Sequence, residues 1–285
     1  MTDSPLIKME IPDSVDNAVK NLTDLPTKAI GETITDIWSI IFGGIHQTAE
    51  KRKMKYAHEL EQFHQELYTE INKIPSEKLI EPKFQVVAPA LENAKYCMEE
   101  KELRDLFTNL ITASLNKDTA AQVHPSFADI IKRMSPRDAS NMASFGNMAN
   151  CPIAEYRITH DNNSNYFVDI PYVFLQNKNY TDLRNQSVSI SMLKTLGLVD
   201  IQFGITISQD SYTPFYSTKE YKESKEMAGM FNNTNVDYAN LNIPESEIKS
   251  IQQSLSKKMG VDIVKGIISL TPIGSEFNRI CVKSF

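Results

Sequence analysis

Along the first half of the chain, apolar side chains recur at helical spacing, and after about residue 150 that spacing gives way to short β-rich stretches. Between residues 14 and 47, Val15, Ala18, Val19, Leu22, Ile30, Ile34, Ile37, Ile41 and Ile45 mark apolar faces, and Pro26 divides them into two amphipathic helices. Residues 48–74 carry Leu60, Phe63, Leu67, Ile71 and Ile74 on one stripe opposite a charged face, which predicts one long helix stopped by Pro75. Residues 78–88 read as irregular. Pro89 then reads as the first residue of a helix reaching about Met98, nearly continued by a second over residues 103–115 with Leu103, Leu106, Phe107, Leu110 and Ile111 inward. Beyond a loop at Asn116-Lys117-Asp118, a short helix follows His124-Pro125 and carries Phe127, Ile130, Ile131 and Met134. Ser135-Pro136-Arg137-Asp138 has the order of a helix start: a serine cap, proline at the first position and an acid facing the positive end of the macrodipole. That helix runs through Ala139, Met142 and Phe145.

From Gly146 to Cys151 the period changes, and Asp161-Asn162-Asn163-Ser164-Asn165 separates stretches rich in Tyr, Ile, Val and Phe. Residues 187–196 predict a helix, Gly197-Leu198-Val199-Asp200-Ile201 its exit into a strand, and Ile267-Ile268-Ser269-Leu270 a later strand. Thr271-Pro272 starts a final helix with Phe277, Ile280 and Cys281 inward. A helix closed by Leu-Gly-Leu, a strand, a return strand and a Thr-x-x-Gly-x-x-Phe helix resembles winged-helix domains. The return is delayed by about sixty residues, read as polar and including Asn232-Asn233-Thr234-Asn235, so the wing carries a long insertion. The expected fold is mainly α with a smaller α+β part. An amphipathic helical region spans residues 1–47, a helical domain residues 48–150, and an α+β winged-helix-like domain residues 151–285.

Net charge of -6 weakens any reading as a nucleic-acid binder, because phosphate neutralisation needs a basic surface. The densest basic run, Lys51, Arg52, Lys53 and Lys55, follows the most apolar stretch, residues 37–45, which is too short to cross a bilayer alone. Ile37, Trp38, Ile41 and Phe42, with those four cations, are therefore candidates for contact with a protein partner or a membrane interface. Seven acidic residues against three lysines in residues 1–47 oppose anionic lipid and favour protein. Cys97, Cys151 and Cys281 have no metal-ligand spacing and read as reduced and packed. No charged and apolar leader opens the chain, so the expected location is the cytoplasm or the inner face of the membrane. No phosphate loop, dinucleotide loop, zinc-protease or nucleophile-elbow pattern is found, and no catalytic, cofactor or metal residue is assigned. His58 and His64 read as surface residues, and His124 as a loop-ordering donor to a carbonyl. Glu99, Glu100 and Glu102 beside Lys101 and Arg104 read as a solvated helix junction.

Ile80-Glu81-Pro82, Pro89-Ala90-Leu91-Glu92, Leu103-Arg104-Asp105-Leu106-Phe107-Thr108-Asn109-Leu110 and Thr112-Ala113 occur in order. They are followed by His124-Pro125-Ser126-Phe127, Ile130-Ile131-Lys132 and Ser135-Pro136 with Asp138-Ala139. Together these words, within residues 48–145, resemble the abortive infection alpha family of bacterial phage-resistance proteins. Met134 and Arg137 depart from it, standing where leucine and an acid are expected. The resemblance implies antiphage defence by abortive infection, and it supplies no catalytic residue. His124, Pro125, Ser126, Phe127, Ser135, Pro136 and Asp138 are therefore expected to be structural. The expected partner is a protein, phage-derived or a second copy, with peripheral membrane contact as a further candidate. A winged-helix transcriptional regulator is the alternative, weakened because Ser189, Ser191, Lys194 and Thr195 are a poor set for reading bases.

Overall fold

The computed structural model describes residues 28–42, 50–160, 165–232, 244, 247 and 259–282. The chain forms two compact units: residues 1–143 with 275–285, and residues 144–274. The chain leaves the first unit, builds the second and returns. The fold is mainly α with a four-stranded antiparallel sheet.

The first unit is helical. Helix α1 (Lys28–Phe42) is followed by α2 (Glu50–Ile71), α3 (Phe84–Ala94), α4 (Lys101–Leu115), α5 (Phe127–Lys132) and α6 (Pro136–Ser144). The stripe read from α2 is buried from Leu60 to Ile74 and packs on α4, whose predicted inward residues are all buried. Helix α3 corrects the sequence reading: it begins five residues before Pro89, with the proline inside it. Val86, Val87, Ala90, Leu91 and Ala94 are buried along one face, and this burial outweighs the one backbone bond that a proline in the second turn removes. The first of the two expected amino-terminal helices lies outside the described residues, as do Ile45 and Asp161-Asn162-Asn163-Ser164.

The second unit carries β1 (Asn150–His160), β2 (Asn165–Phe174), α7 (Leu183–Thr195), β3 (Val199–Phe203), a 3-10 segment (Gln209–Ser217), α8 (Lys219–Asn232) and β4 (Met259–Leu270), ordered β2-β1-β4-β3 in the sheet. β1 is paired with β4 along its whole length, from Asn150 opposite Ser269 to His160 opposite Met259. It is buried at consecutive residues 151–156, so both of its faces are covered. The sheet curls: Tyr172 of β2 and Phe203 of β3, on opposite outer strands, stack with ring centroids 6.4 Å apart. Helix α7 packs against both of those strands.

The long insertion differs from the polar loop that its composition implies. Tyr212 and Phe215 of the 3-10 segment and Tyr221 of α8 join Ala154, Tyr156, Ile170, Val173, Leu183 and Ile263 in one buried cluster. The Tyr156 hydroxyl donates to the Phe215 carbonyl at 2.6 Å, and the Tyr212 hydroxyl donates to the Gly266 carbonyl at 2.7 Å. A few aromatics spaced widely among polar residues leave too little periodicity to read, yet each contributes a large buried area.

Helix α9 (Pro272–Cys281) returns the chain to the first unit. There Phe277 meets Phe127 edge-on at 5.3 Å, and Asn109 Nδ2 donates to the Cys281 carbonyl at 2.8 Å.

Candidate functional site

Residues placed just before prolines start two helices in the same way, and a third such residue orders the turn ahead of another. Ser135 and Asp138 form a reciprocal box at α6: Asp138 N–H donates to Ser135 Oγ at 3.3 Å, and Ser135 N–H donates to Asp138 Oδ2 at 2.7 Å. Pro136 between them needs no donor at the first helical position. Thr271 repeats the device at α9, its Oγ1 accepting from Gly274 N–H at 3.0 Å while donating to the Gly197 carbonyl at 2.5 Å. His124 uses a ring nitrogen instead. Its Nδ1 accepts from Ser126 N–H at 3.2 Å and lies 2.6 Å from Ser126 Oγ, so the contact is with the following turn in place of the expected donation to a carbonyl. A ring nitrogen two residues ahead of a free N–H satisfies that donor as a capping oxygen does. Phe127, next in the motif, is buried. These family-motif residues lie on helix starts or on the turn ahead of one, and their hydrogen bonds run to nearby backbone and to one another.

The apolar stripe proposed for partner or lipid contact is placed by the structure as follows. Ile37, Trp38 and Phe42 are buried, Trp38 against Phe42 at 4.4 Å and Phe63 at 5.8 Å, while Ile41 is half-buried and Ile40 is 78% exposed. His64 corrects the expectation of a surface histidine: it is buried, with its ring 5.5 Å from Trp38 and 6.5 Å from Tyr68. Placing it outward rests on its charge-bearing type; its position one residue after Phe63 puts it at the α1–α2 contact. His58 is exposed, beside Gln62 at 2.9 Å. The side chains of Lys51, Arg52, Lys53 and Lys55 lie outside the described residues, although their backbone belongs to α2.

Arg104 also departs from the sequence reading. Glu99, Glu100 and Glu102 are exposed as expected, but Arg104 is buried and reaches across to α2. Its Nε and Nη2 donate to the two oxygens of Glu66 at 2.8 and 2.9 Å, and its Nη1 donates to Glu59 at 3.2 Å and to the Met98 carbonyl at 2.7 Å. The hydrogen bonds to Glu66 raise the guanidinium above its ordinary range against the cost of burial. Glu59 and Glu66 stand seven residues apart on one helix face, the signal from which the pair is readable. Among the described residues, no three His, Cys, Asp or Glu side chains converge as metal ligands.

In the second unit a cleft of about 510 Å³ lies between β2 and α7. Asp169 sits at one end, accepting from Arg184 Nη1 at 2.9 Å and from Ser224 Oγ at 2.6 Å. Pro171 and Tyr172 form the strand wall, and Val188 and Met192 the helix wall. The sequence reading missed this cleft. Its one readable signal is Val188, an apolar residue off the stripe of Leu183, Ile190 and Leu193 that holds α7 to the sheet. Of the α7 residues considered for base reading, Ser189 is buried and Ser191, Lys194 and Thr195 are exposed. Among the described residues, no helix is long and apolar enough to cross a membrane.

A model of the family described as abortive infection alpha matches residues 55–281, most of the chain. No curated protein and no solved structure matches it.

Proposed function

This chain belongs to the abortive infection alpha family, and from that premise we propose that it takes part in antiphage defence by abortive infection, as a non-catalytic protein acting through contacts with other proteins. The observation that carries the non-catalytic part is the use to which the most polar motif residues are put. His124 and Ser126, Ser135 and Asp138, and Arg104 with Glu59 and Glu66 all spend their hydrogen bonds on helix starts and on one helix–helix contact. A general base or nucleophile needs free reach toward a substrate, which the engaged oxygens of Ser135, Asp138 and Glu66 lack. The partner is a phage-derived protein or a second copy of the chain. The working location is the cytoplasm, with contact at the inner face of the membrane as the remaining candidate. Helix α7, β3, β4 and α9 are read as a winged-helix-like element used for packing. In support, α7 ends in Gly197 at φ 74°, with Gly197 N–H donating to the Lys194 carbonyl and Leu198 N–H donating to the Leu193 carbonyl, each at 3.0 Å.

The test has two arms. Cells expressing the chain are challenged with a panel of phages, plating efficiency and culture survival are scored, and the cells are fractionated before and during infection. The purified protein is assayed for nuclease and nucleoside-triphosphate hydrolase turnover with Mg²⁺, Mn²⁺ and Zn²⁺. Protection without turnover is the expected result. Metal-dependent turnover abolished by one point substitution overturns the non-catalytic reading, and absence of protection against every phage overturns the defence reading.

A further inference from the structure

The apolar stripe of α1 is buried against a titratable side chain. Trp38 and His64 are each 0% exposed. The His64 ring lies 5.5 Å from Trp38 and 6.5 Å from Tyr68, and Phe63, its neighbour on α2, lies 5.8 Å from Trp38. Ile34, Ile37 and Phe42 complete the buried face of α1. The helix also packs on α3, whose Lys95 Nζ donates to the Ile41 carbonyl at 3.4 Å.

A leucine or phenylalanine at position 64 would bury as much apolar surface between α1 and α2, so packing alone does not call for an imidazole there. Histidine is the side chain that changes charge near neutrality. A charge placed at a site without solvent access costs far more than an indole face returns through cation–π attraction. The charged groups of the packed elements leave that sign in place. On α2, Glu59 and Glu66 hold Arg104, Glu61 accepts from Gln65 at 2.9 Å, and Tyr68 supplies a second ring. On α3, Lys95 pairs with Glu92 at 3.0 Å and brings its positive charge to the end of α1; on α1 itself, Asp36 is exposed.

We propose that His64 is a proton-operated latch on α1: the neutral ring keeps Trp38 in the α1–α2 contact, and protonation releases the helix and opens the stripe of Ile37, Trp38 and Phe42. The sign follows from where the charge is tolerated. A histidine neutral when docked and free to charge when released contributes docking stability that is full above the ordinary histidine value of about 6.5 and is lost as pH falls below it. Release is a local opening, because α2 and α4 keep their own packing and the bridge from Arg104 to Glu59 and Glu66. The same stripe is then buried at neutral pH and available for contact in acid.

Trp38 is the one tryptophan of the chain, so its emission reports the contact directly. The full-length protein is titrated from about pH 8 to about pH 5 while emission, acrylamide quenching and far-UV circular dichroism are recorded. Acrylamide is uncharged, so its quenching reports access to the indole and not the charge of a neighbour. Below about pH 6.5 the emission is expected to move to longer wavelength and the quenching constant to rise about threefold or more, with most of the helical signal retained. A His64→Leu chain is expected to stay shielded throughout. Should that chain fail to fold, a chain carrying His46→Gln, His58→Gln, His124→Asn and His160→Gln leaves His64 as the one histidine and is expected to keep the transition; asparagine preserves a capping acceptor at 124. An indole that stays shielded in acid, a His64→Leu chain that opens as the wild type does, a single-histidine chain without the transition, or loss of the helical signal at the same pH overturns the latch. None of these outcomes touches the defence reading, which is scored by plating.

Discussion

Gly274 shows how narrow the tolerance is at single residues. A Cβ built on it would lie 1.8 Å from the Leu198 carbonyl oxygen, where the start of α9 crosses the end of α7. No side-chain motion relieves a backbone clash, so Gly274→Ala is expected to lower the melting temperature by several degrees, whereas the cap substitution Ser135→Ala should cost about 1 kcal/mol. Thermal melts of the two variants, read together, check that ranking. Arg104→Met leaves Glu66 and Glu59 without their partner and is expected to destabilise by about 2 to 3 kcal/mol, less than for a fully buried pair because Glu66 keeps some solvent. The thiols supply a pH dependence. Burial pushes Cys151 from 9.0 up to about 11 and raises Cys281 well above its ordinary value. A folded-state pKa raised in this way contributes stability that is intact below the ordinary thiol range and is lost as pH climbs toward 11. Denaturant midpoints are therefore expected to be flat from neutrality to about pH 8 and to fall above it, with a shallower fall in Cys151→Ala. A thiol reagent should label none of Cys97, Cys151 and Cys281 in the native protein at neutral pH.

At the scale of elements, α1 and α8 are each secured by aromatic packing. Trp38 is covered by Phe42, Phe63 and His64, so Trp38→Asp is expected to destabilise the helical unit by at least about 3 kcal/mol, since it deletes a large buried ring and buries a charge. An unchanged melt together with lost liposome binding would show that α1 faces lipid instead. For α8, Tyr221 lies 5.6 Å from Tyr156 within the buried cluster of the second unit. Tyr221→Ala is expected to raise the proteolytic sensitivity of residues 204–232 before the rest of the chain is cut, which limited proteolysis with mass mapping would reveal.

For the whole molecule, the consequential feature is the return of the chain. Residues 275–285 belong to the unit built by residues 1–143, with Phe277 on Phe127 and the Cys281 carbonyl accepting from Asn109. Removing residues 272–285 is therefore expected to destabilise the helical unit although residues 1–143 are untouched. The expected readout is loss of cooperative helical melting by circular dichroism; an unchanged helical transition would show that α9 contributes nothing there. Loss of protection in that variant would follow from lost structure and would say nothing about a contact surface.

The sequence by itself determined most helices of the first unit, the Xaa-Pro helix starts at residues 135 and 271, and the family. These rest on local physics: a 3.6-residue period, a cap and a proline are all legible within a few neighbouring residues. Pro89 misled the reading because proline both opens and interrupts helices, and only the burial of Val86 and Val87 one turn earlier decides which. His64, Arg104 and the aromatics of the insertion share one reason for being misread or missed. Their environment is supplied by residues on other elements: Trp38 from α1, Glu59 and Glu66 from α2, and Tyr156 from the central strand. The cleft of the second unit is further still from local reading, since it exists only because a curled sheet brings Tyr172 beside the outer face of α7. Side-chain type and spacing specify how a segment folds on itself, but which polar group is buried, and which apolar one is left open, is decided by what the tertiary structure sets against it.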